Sequence, residues 1–554
     1  MAAAAKRVVI IGGDAAGLKT AARLRRLDKD AKIDVLERGH ILSYAACGLP
    51  YFLSGDVDSF QELVSTAWGD VKDEEFFRLA KGIETHTGHA AVTIDRERNV
   101  LTARKDDGSE VDFPYDVLVI AVGAEPYRIE VQGCDLEGVQ CFTRPEEAKQ
   151  LRRGLETGGI GRVAVIGAGY IGLELCEAFG ALWGAGTVLV EKENQVLPRM
   201  LDREMARLVE QELVKNDVEL RLNCTLTRIR KQGEELVVVL SDGTEENVDR
   251  VIFAPGVHPR TDLAEAAGLK IGPHGGILVD NQGRTSDPSI FAAGDCAELP
   301  FNGTSHLLPL GSIANRMGRV VANVIHGLDD QLPRLFGSAV VKVFDLNVAV
   351  TGKTARALEA DGVPTESYWG SFPANAHYFP ESTDVFLKMV NAADGRLRGL
   401  QAVGAGEVVR WVDAFAQILD LAEGNPEALA RFEHAYAPPF ATAMDPFHHF
   451  YSMIEAGPDL VIHPEDLRDG GEARWTVLNL LNEKEAENIE WPEMRGRRVD
   501  IPINDLREHL DDLPDRDIVA VCARGTRSYE ATVLLRNHNK EACYLGGGVR
   551  MILS

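Results

Sequence analysis

Apolar residues along this chain fall into two alternating rhythms. KRVVIIGGDAAGLKTAARLRRL, residues 6–27, reads as an unbroken apolar run, a glycine turn and a helix with one apolar face. AKIDVLERG, residues 31–39, adds a second apolar run that closes on Glu37. The same order returns at 161–193, GRVAVIGAGYIGLELCEAFGALWGAGTVLVEKE, with Glu191 at the end of its second run. A short apolar run bounded by glycines suits a strand buried on both faces, and the helical rhythm suits a helix laid over it. The longest apolar stretch, 163–190, is broken by Glu174, Glu177 and several glycines. Strand–helix–strand is therefore expected there, not a membrane span. YDVLVIAVGAEP at 115–126 and IFAAGDCAE at 290–298 are further strands running into small-residue turns. FHHFYSMIEAGPDL, 447–460, reads as a linker. Beyond it, WTVLNLL (475–481) and DIVAVCARGTRSYEATVLLRNH (517–538) predict strand, strand, loop and helix, a small parallel α/β domain.

Each glycine turn stands where a dinucleotide would be held: phosphates at a helix N-terminus and a carboxylate on the ribose hydroxyls about 20 residues on. In the first copy Gly12 and Gly17 flank Asp14, which replaces the middle glycine, and Glu37 lies 20 residues past Gly17 with Arg38 beside it. The second copy has Gly167, Gly169 and Gly172, then Glu191. Glu191 should repel a 2′-phosphate, which points to NADH, while the adjacent Lys192 leaves NADPH open. Two such units suggest one flavin and one pyridine nucleotide. Gly123 and Gly256 join the expected cofactor-binding residues, as does Asp295, placed after a tight glycine turn to accept from a ribityl hydroxyl.

Composition narrows the class. A chain of 554 residues is too long for one core, and about three or four domains are expected. The formal charge of −26 argues against nonspecific nucleic-acid binding, and any anionic substrate needs a local basic patch. The N-terminal MAAAAKRVVIIGGDAAG does not read as a secretion signal. Eight cysteines without close clustering suit reduced thiols, hence a cytoplasmic protein. No Cys/His group has zinc spacing, so no metal is expected.

Taken in order, GGDAAG, CGLPYF, VIAVGAEP, GAGYIGLE and AAGD resemble the pyridine nucleotide–disulfide oxidoreductase family over roughly residues 6–446. The resemblance implies an α/β fold with two Rossmann-like nucleotide-binding domains and an α+β dimerisation domain. FAD would take 1–115 and 250–325, NAD 116–249, and dimerisation 326–446. It implies FAD on Gly12, Gly17, Glu37 and Asp295, NADH on Gly167, Gly169, Glu174 and Glu191, and Tyr170 as a gate over the flavin. SYAACGLPYF, 43–52, holds one cysteine, Cys47, with no second cysteine one helical turn away. A thiolate there would be activated by its place near a helix start.

The family has two single-cysteine branches, NADH oxidases and peroxidases on one side and coenzyme A disulfide or persulfide reductases on the other. The peroxidatic branch carries a histidine where this chain has Ala15, which lowers the oxidase reading. NAHYFP (375–380) and AYAPPF (435–440) resemble loops whose tyrosines, here Tyr378 and Tyr436, reach the substrate sulfur from the partner subunit. A phenol can protonate a leaving thiolate. Phe379, Phe440 and Ala46 depart from the family pattern. Arg23 and Arg26 are candidates for CoA phosphates.

Residues 460–554 resemble a rhodanese domain. Cys522 opens the loop CARGTR and matches the persulfide-carrying cysteine, with Arg524 and Arg527 as substrate-binding residues. Successive amides and a helix N-terminus would stabilise a sulfur anion there. Asn479-Leu480-Leu481 replaces the usual Asp-Val-Arg, which puts thiosulfate as donor in doubt. The expectation is a homodimeric flavin-dependent NADH oxidoreductase acting on persulfide, polysulfide or CoA disulfide, with Cys47, Tyr378, Tyr436 and Cys522 as catalytic residues. The alternatives are an NADH oxidase or peroxidase, and a redox-sensing scaffold flavoprotein.

Overall fold

The computed structural model describes residues 5–301, 304–468, 474–489 and 491–553. The chain forms two compact units, one of residues 1–167, 171–190 and 224–335, the other of 168–170, 191–223 and 336–554.

In the first unit, strand Arg7–Ile11 is the middle of a five-stranded parallel sheet. Lys32–Leu36 and Glu84–His86 lie on one side, Val117–Ile120 and Ile290–Ala292 on the other. Val8, Val9 and Ile10 are buried, as a strand covered on both faces requires. Helix Ala15–Leu27 packs against helix Gly311–Ile325. The two backbones approach so closely that a Cβ on Gly318 would lie 2.5 Å from the carbonyl oxygen of Ala16. A second parallel set runs Gly186–Val190, Arg162–Ile166, Arg250–Phe253 and Val139–Cys141.

The expected domain boundaries shift by one strand on each side. Val117–Ile120, assigned from sequence to the second nucleotide domain, hydrogen-bonds to Arg7–Ile11 in the first sheet. Arg250–Phe253, assigned to the first domain, pairs with Arg162–Ile166 in the second. The chain crosses between the sheets on the short antiparallel pair Ala124–Pro126 and Val257–Pro259, just past each of those strands.

In the second unit an antiparallel sheet runs in the order Ala339–Val343, Leu346–Gly352, Leu397–Gly404, Asp384–Ala392, Thr365–Pro373. Helix Val409–Leu421 buries Trp411, Val412, Phe415 and Leu419 against it. A five-stranded parallel sheet follows, ordered Val461–Ile462, Ala542–Leu545, Ile518–Val521, Thr476–Asn479, Arg497–Asp500.

The linker expected at 447–460 is instead largely a helix, Pro446–Ala456. Pro446 opens it, and the Asp445 carboxylate accepts from the Phe447 amide in a capping box with His448. Phe447 and Phe450 are fully buried, Phe447 against Phe415 and Phe432, Phe450 against Phe372. One apolar cluster therefore runs from Tyr368 and Leu387 of the antiparallel sheet, through this helix, to Leu478 and Ala520 of the parallel one. Among the described residues no helix is long and apolar enough to cross a membrane.

Candidate active site and sulfur-bearing residues

The first glycine turn is built so that only glycine fits at its ends. Gly12 has φ +113°, and a Cβ there would lie 2.1 Å from the Ala121 carbonyl oxygen. A Cβ on Gly17 would lie 2.0 Å from the carbonyl oxygen of Gly12. Asp14, in the middle position, is the extended residue that precedes helix Ala15–Leu27. Glu37 holds the turn: its two carboxylate oxygens accept from the Gly13 and Gly39 amides, each at 2.8 Å. Arg38 beside it is exposed. Asp295 follows Gly294, which has φ +83°, and burial pushes its carboxyl up to about 6. Gly123 and Gly256, both at positive φ, immediately precede the two crossover strands, and their carbonyls accept from the Arg260 and Tyr127 amides. A backbone cradle that any Cβ would fill, with the half-buried Asp295 carboxyl beyond it, fits FAD.

The second turn repeats the construction. A Cβ on Gly172 would lie 2.0 Å from the Gly167 carbonyl oxygen, whereas one on Gly169 would meet nothing within 4 Å. That open side is where a phosphate can reach the backbone, so the residues fit a pyridine dinucleotide. Glu191 accepts from the Ala168 amide at 2.8 Å and the Glu193 amide at 3.0 Å. Both acids expected on ribose hydroxyls are seen clamping their own turns, a role the sequence did not disclose. Tyr170 opens helix Tyr170–Gly180 with its ring 37% exposed, and Glu174 lies one turn further along.

Cys47 sits in a single 3₁₀ turn, Ala46–Gly48, ahead of helix Leu49–Ser54. The thiol is free and exposed. Its loop is tied to the first glycine turn: the Ser43 amide donates to the Gly13 carbonyl at 2.8 Å, and the Lys72 ammonium donates to the Ser43 carbonyl. The activation expected from a helix start is not what surrounds it. Enclosure by neighbouring atoms pushes the Cys47 thiol up, and the carboxyls of Glu174, Asp295 and Asp14 push it further. Burial, with Glu177 nearby, raises Glu174 to about 7, and burial, with Glu37 nearby, raises Asp14 to about 7. A six-residue helix is too short to outweigh three acids.

Tyr378 and Tyr436, far apart in sequence, are brought together in the second unit. Their phenol oxygens lie 3.4 Å apart, and the two rings are 65% and 48% exposed. The Ala376 amide, donating to the Pro438 carbonyl at 3.1 Å, joins the two loops. Phe379 and Phe440 are exposed beside them. Arg23 is committed elsewhere than to a free anion: it is half-buried and donates to Asn323 at 2.8 Å, while Arg26 is exposed.

Cys522 follows strand Ile518–Val521 and precedes helix Thr526–Asn537. Its sulfur is fully buried and accepts from the Gly525 amide at 3.1 Å. Gly525, Gly547 and Gly548, all at positive φ, let a second strip of chain close over the loop, and a Cβ on Gly548 would lie 2.3 Å from the Cys522 carbonyl oxygen. The two loop arginines are not free for substrate as expected. Arg524 donates to Asp384 at 2.7 Å, and Arg527 reaches both oxygens of Glu485 at 2.7 and 2.5 Å. A Cys522 thiolate would also attract the Arg527 guanidinium. Asn479 is buried and bonded to Asp500 at 2.8 Å and to the Leu481 amide at 3.1 Å, so it works as a turn-holder.

Sequence reasoning missed Asp384 and Glu485. Glu485 had a local signal, the capping box Asn482-x-x-Glu485, whereas Asp384 meets Arg524 only through tertiary packing. Among the described residues no group of three or more His, Cys, Asp or Glu could hold a metal ion.

Comparison with known proteins agrees with this architecture. Residues 6–327 match the pyridine nucleotide-disulphide oxidoreductase family and residues 338–446 match its dimerisation domain. A protein of Methanocaldococcus jannaschii named NADH oxidase is 35% identical over 79% of this chain and 96% of its own length. The NAD(P)H sulfur oxidoreductase (CoA-dependent) of Pyrococcus abyssi is 34% identical over 80% of this chain and 96% of its own. The solved structure of a NAD-dependent persulfide reductase from A. fulgidus superposes with a TM-score of 0.92 at 37% identity, covering 98% of this chain and 99% of that one.

Proposed function

The chain belongs to the pyridine nucleotide-disulphide oxidoreductase family, and from that premise we propose that it is a homodimeric FAD-dependent NADH reductase of sulfane sulfur. Its substrates are persulfides, polysulfides or CoA disulfide. The observation that carries this reading is the exposed Cys47 thiol on a loop bonded to the first glycine turn. The full-length likeness to the persulfide reductase and the CoA-dependent relative support it.

Bound FAD supplies a two-electron relay between pyridine nucleotide and thiol. The chain's residues do the rest. Glu191 favours the free ribose hydroxyl of NADH. The Cys47 sulfur attacks the donor and forms a sulfur–sulfur bond, and the donor's own sulfur–sulfur bond breaks. Asp14 and Glu174, each titrating at about 7, keep protons close to the departing sulfur. Tyr378 and Tyr436, supplied across the dimer, offer a second proton source. For a persulfide the balance is one persulfide, one NADH and one proton in, one thiol, one hydrogen sulfide and one NAD⁺ out. Cys522 in its rhodanese-like module holds or relays sulfane sulfur.

The test is anaerobic NADH oxidation with CoA persulfide or polysulfide. Cys47→Ser should lose at least about a hundredfold in turnover, the scale of losing a covalent nucleophile. Full turnover in that variant would sink the proposal. The likeness to the M. jannaschii protein favours a second reading, an NADH oxidase. Oxygen-dependent NADH consumption that outpaces the anaerobic sulfur reaction would select it.

A further inference from the structure

The cradle around Cys522 is more nearly neutral than its sequence suggests. CARGTR shows two arginines and no acid. Folding adds Arg550, whose guanidinium pairs with one oxygen of Asp384 while Arg524 takes the other. Glu485 takes Arg527. Among the described residues, three guanidiniums against two carboxylates leave one positive charge at the rim of a fully buried sulfur. Asp384 comes from outside the module: it is the first residue of strand Asp384–Ala392 of the antiparallel sheet, and its side chain is only 13% exposed.

One positive charge matches one negative charge. A cysteine persulfide anion satisfies it, with the Gly525 amide as donor and the Arg527 guanidinium as the attracting charge. A dianionic donor would bring one charge more than the rim can compensate. We propose that Asp384 is a specificity-determining residue for the Cys522 site, which by occupying Arg524 and Arg550 admits sulfur from monoanionic persulfides and disfavours dianionic thiosulfate. This rests on the reading of Cys522 as a sulfane-sulfur carrier.

With thiosulfate, the Cys522 thiolate attacks the outer sulfur and a new sulfur–sulfur bond forms on Cys522. The donor's sulfur–sulfur bond breaks, and sulfite leaves with the electron pair. With a thiol persulfide the same transfer expels a thiolate. Both preserve charge and need no further oxidant, so the two donors differ chiefly in the charge they bring.

The experiment loads full-length protein, in single turnover, with thiosulfate or with the monoanionic persulfide of 2-mercaptoethanol, and reads the added sulfur atom on Cys522 by peptide mass. Asp384→Asn should raise the thiosulfate rate relative to the persulfide rate by at least about tenfold, the low end for an interaction with a charged group. Asp384→Glu should restore the wild-type ratio, and Arg550→Gln, which removes one positive charge, should move it the other way. Equal rises with both donors mean that Asp384 only shuts the loop, and an unchanged ratio in both Asp384→Asn and Arg550→Gln means that it does nothing of the kind. Either overturns the inference while leaving the carrier reading intact. Wild type that gains sulfur on Cys522 from neither donor overturns both.

Discussion

At Cys47 the charges of the protein oppose the thiolate. Glu174, Asp295 and Asp14 all raise its pKa, and two of those acids titrate near neutrality themselves. Removing one should ease ionisation. Glu174→Gln is expected to move the pH profile of Cys47 alkylation by iodoacetamide downward, by up to about one unit, and an unmoved profile would count against the arrangement. The acids also shape stability. Asp14 is raised in the folded state, so its contribution is full below the ordinary carboxylate range and is lost as pH rises through about 7. Asp14→Asn should therefore flatten the loss of thermal stability of cofactor-stripped protein between about pH 4 and 7, as read by calorimetry. At this scale Cys47 and the glycines were legible because their chemistry lies in a short contiguous string. Asp14 showed itself only as a departure from a pattern, and Asp384 was invisible, since the arginines it binds lie 140 and 166 residues away.

At the scale of elements, the strands and helices of both glycine motifs could be read from rhythm alone. Their boundaries could not, because Val117–Ile120 and Arg250–Phe253 are equally apolar and only hydrogen bonding assigns each to a sheet. Helix Pro446–Ala456 was misread as a linker: its histidines and aromatics obscure the buried face, although Asp445-Pro446 marked its start. Its weight can be measured. Phe447→Ala should cost about 3–5 kcal/mol in urea unfolding, the usual penalty for emptying a buried aromatic site. In the second glycine turn, Gly172→Ala has no room for a methyl group 2.0 Å from the Gly167 carbonyl oxygen. The variant should lose NADH binding by at least about tenfold in titration. Wild-type affinity would mean that the turn yields more easily than its geometry implies.

For the molecule as a whole, the continuous core of the second unit matters more than the count of domains. Sequence reasoning cut the chain near residue 460, yet Tyr368, Phe447 and Leu478 share one cluster. A fragment ending at residue 446 would expose that surface and should precipitate or unfold several degrees below the full chain. Two separate thermal transitions in the intact protein would contradict a shared core. Assembly is testable on the same footing. Tyr378, Phe379, Tyr436 and Phe440 form an exposed aromatic group on a domain matched to a dimerisation family. Phe440→Asp should shift sedimentation from dimer toward monomer and lower sulfur-reducing turnover with it.

The indole of Trp369 carries a consequence of its own. It is fully buried, lies against the His463 ring at 4.2 Å, and faces Gly546 so closely that a Cβ there would stand 2.3 Å from its nitrogen. That nitrogen has no hydrogen-bond partner among the described residues. The chromophore is therefore dry only while the C-terminal strip stays seated on the antiparallel sheet. Its emission, isolated by replacing the other tryptophans with phenylalanine, becomes an optical clock for unseating: blue at rest, red once water arrives, timed directly by stopped flow.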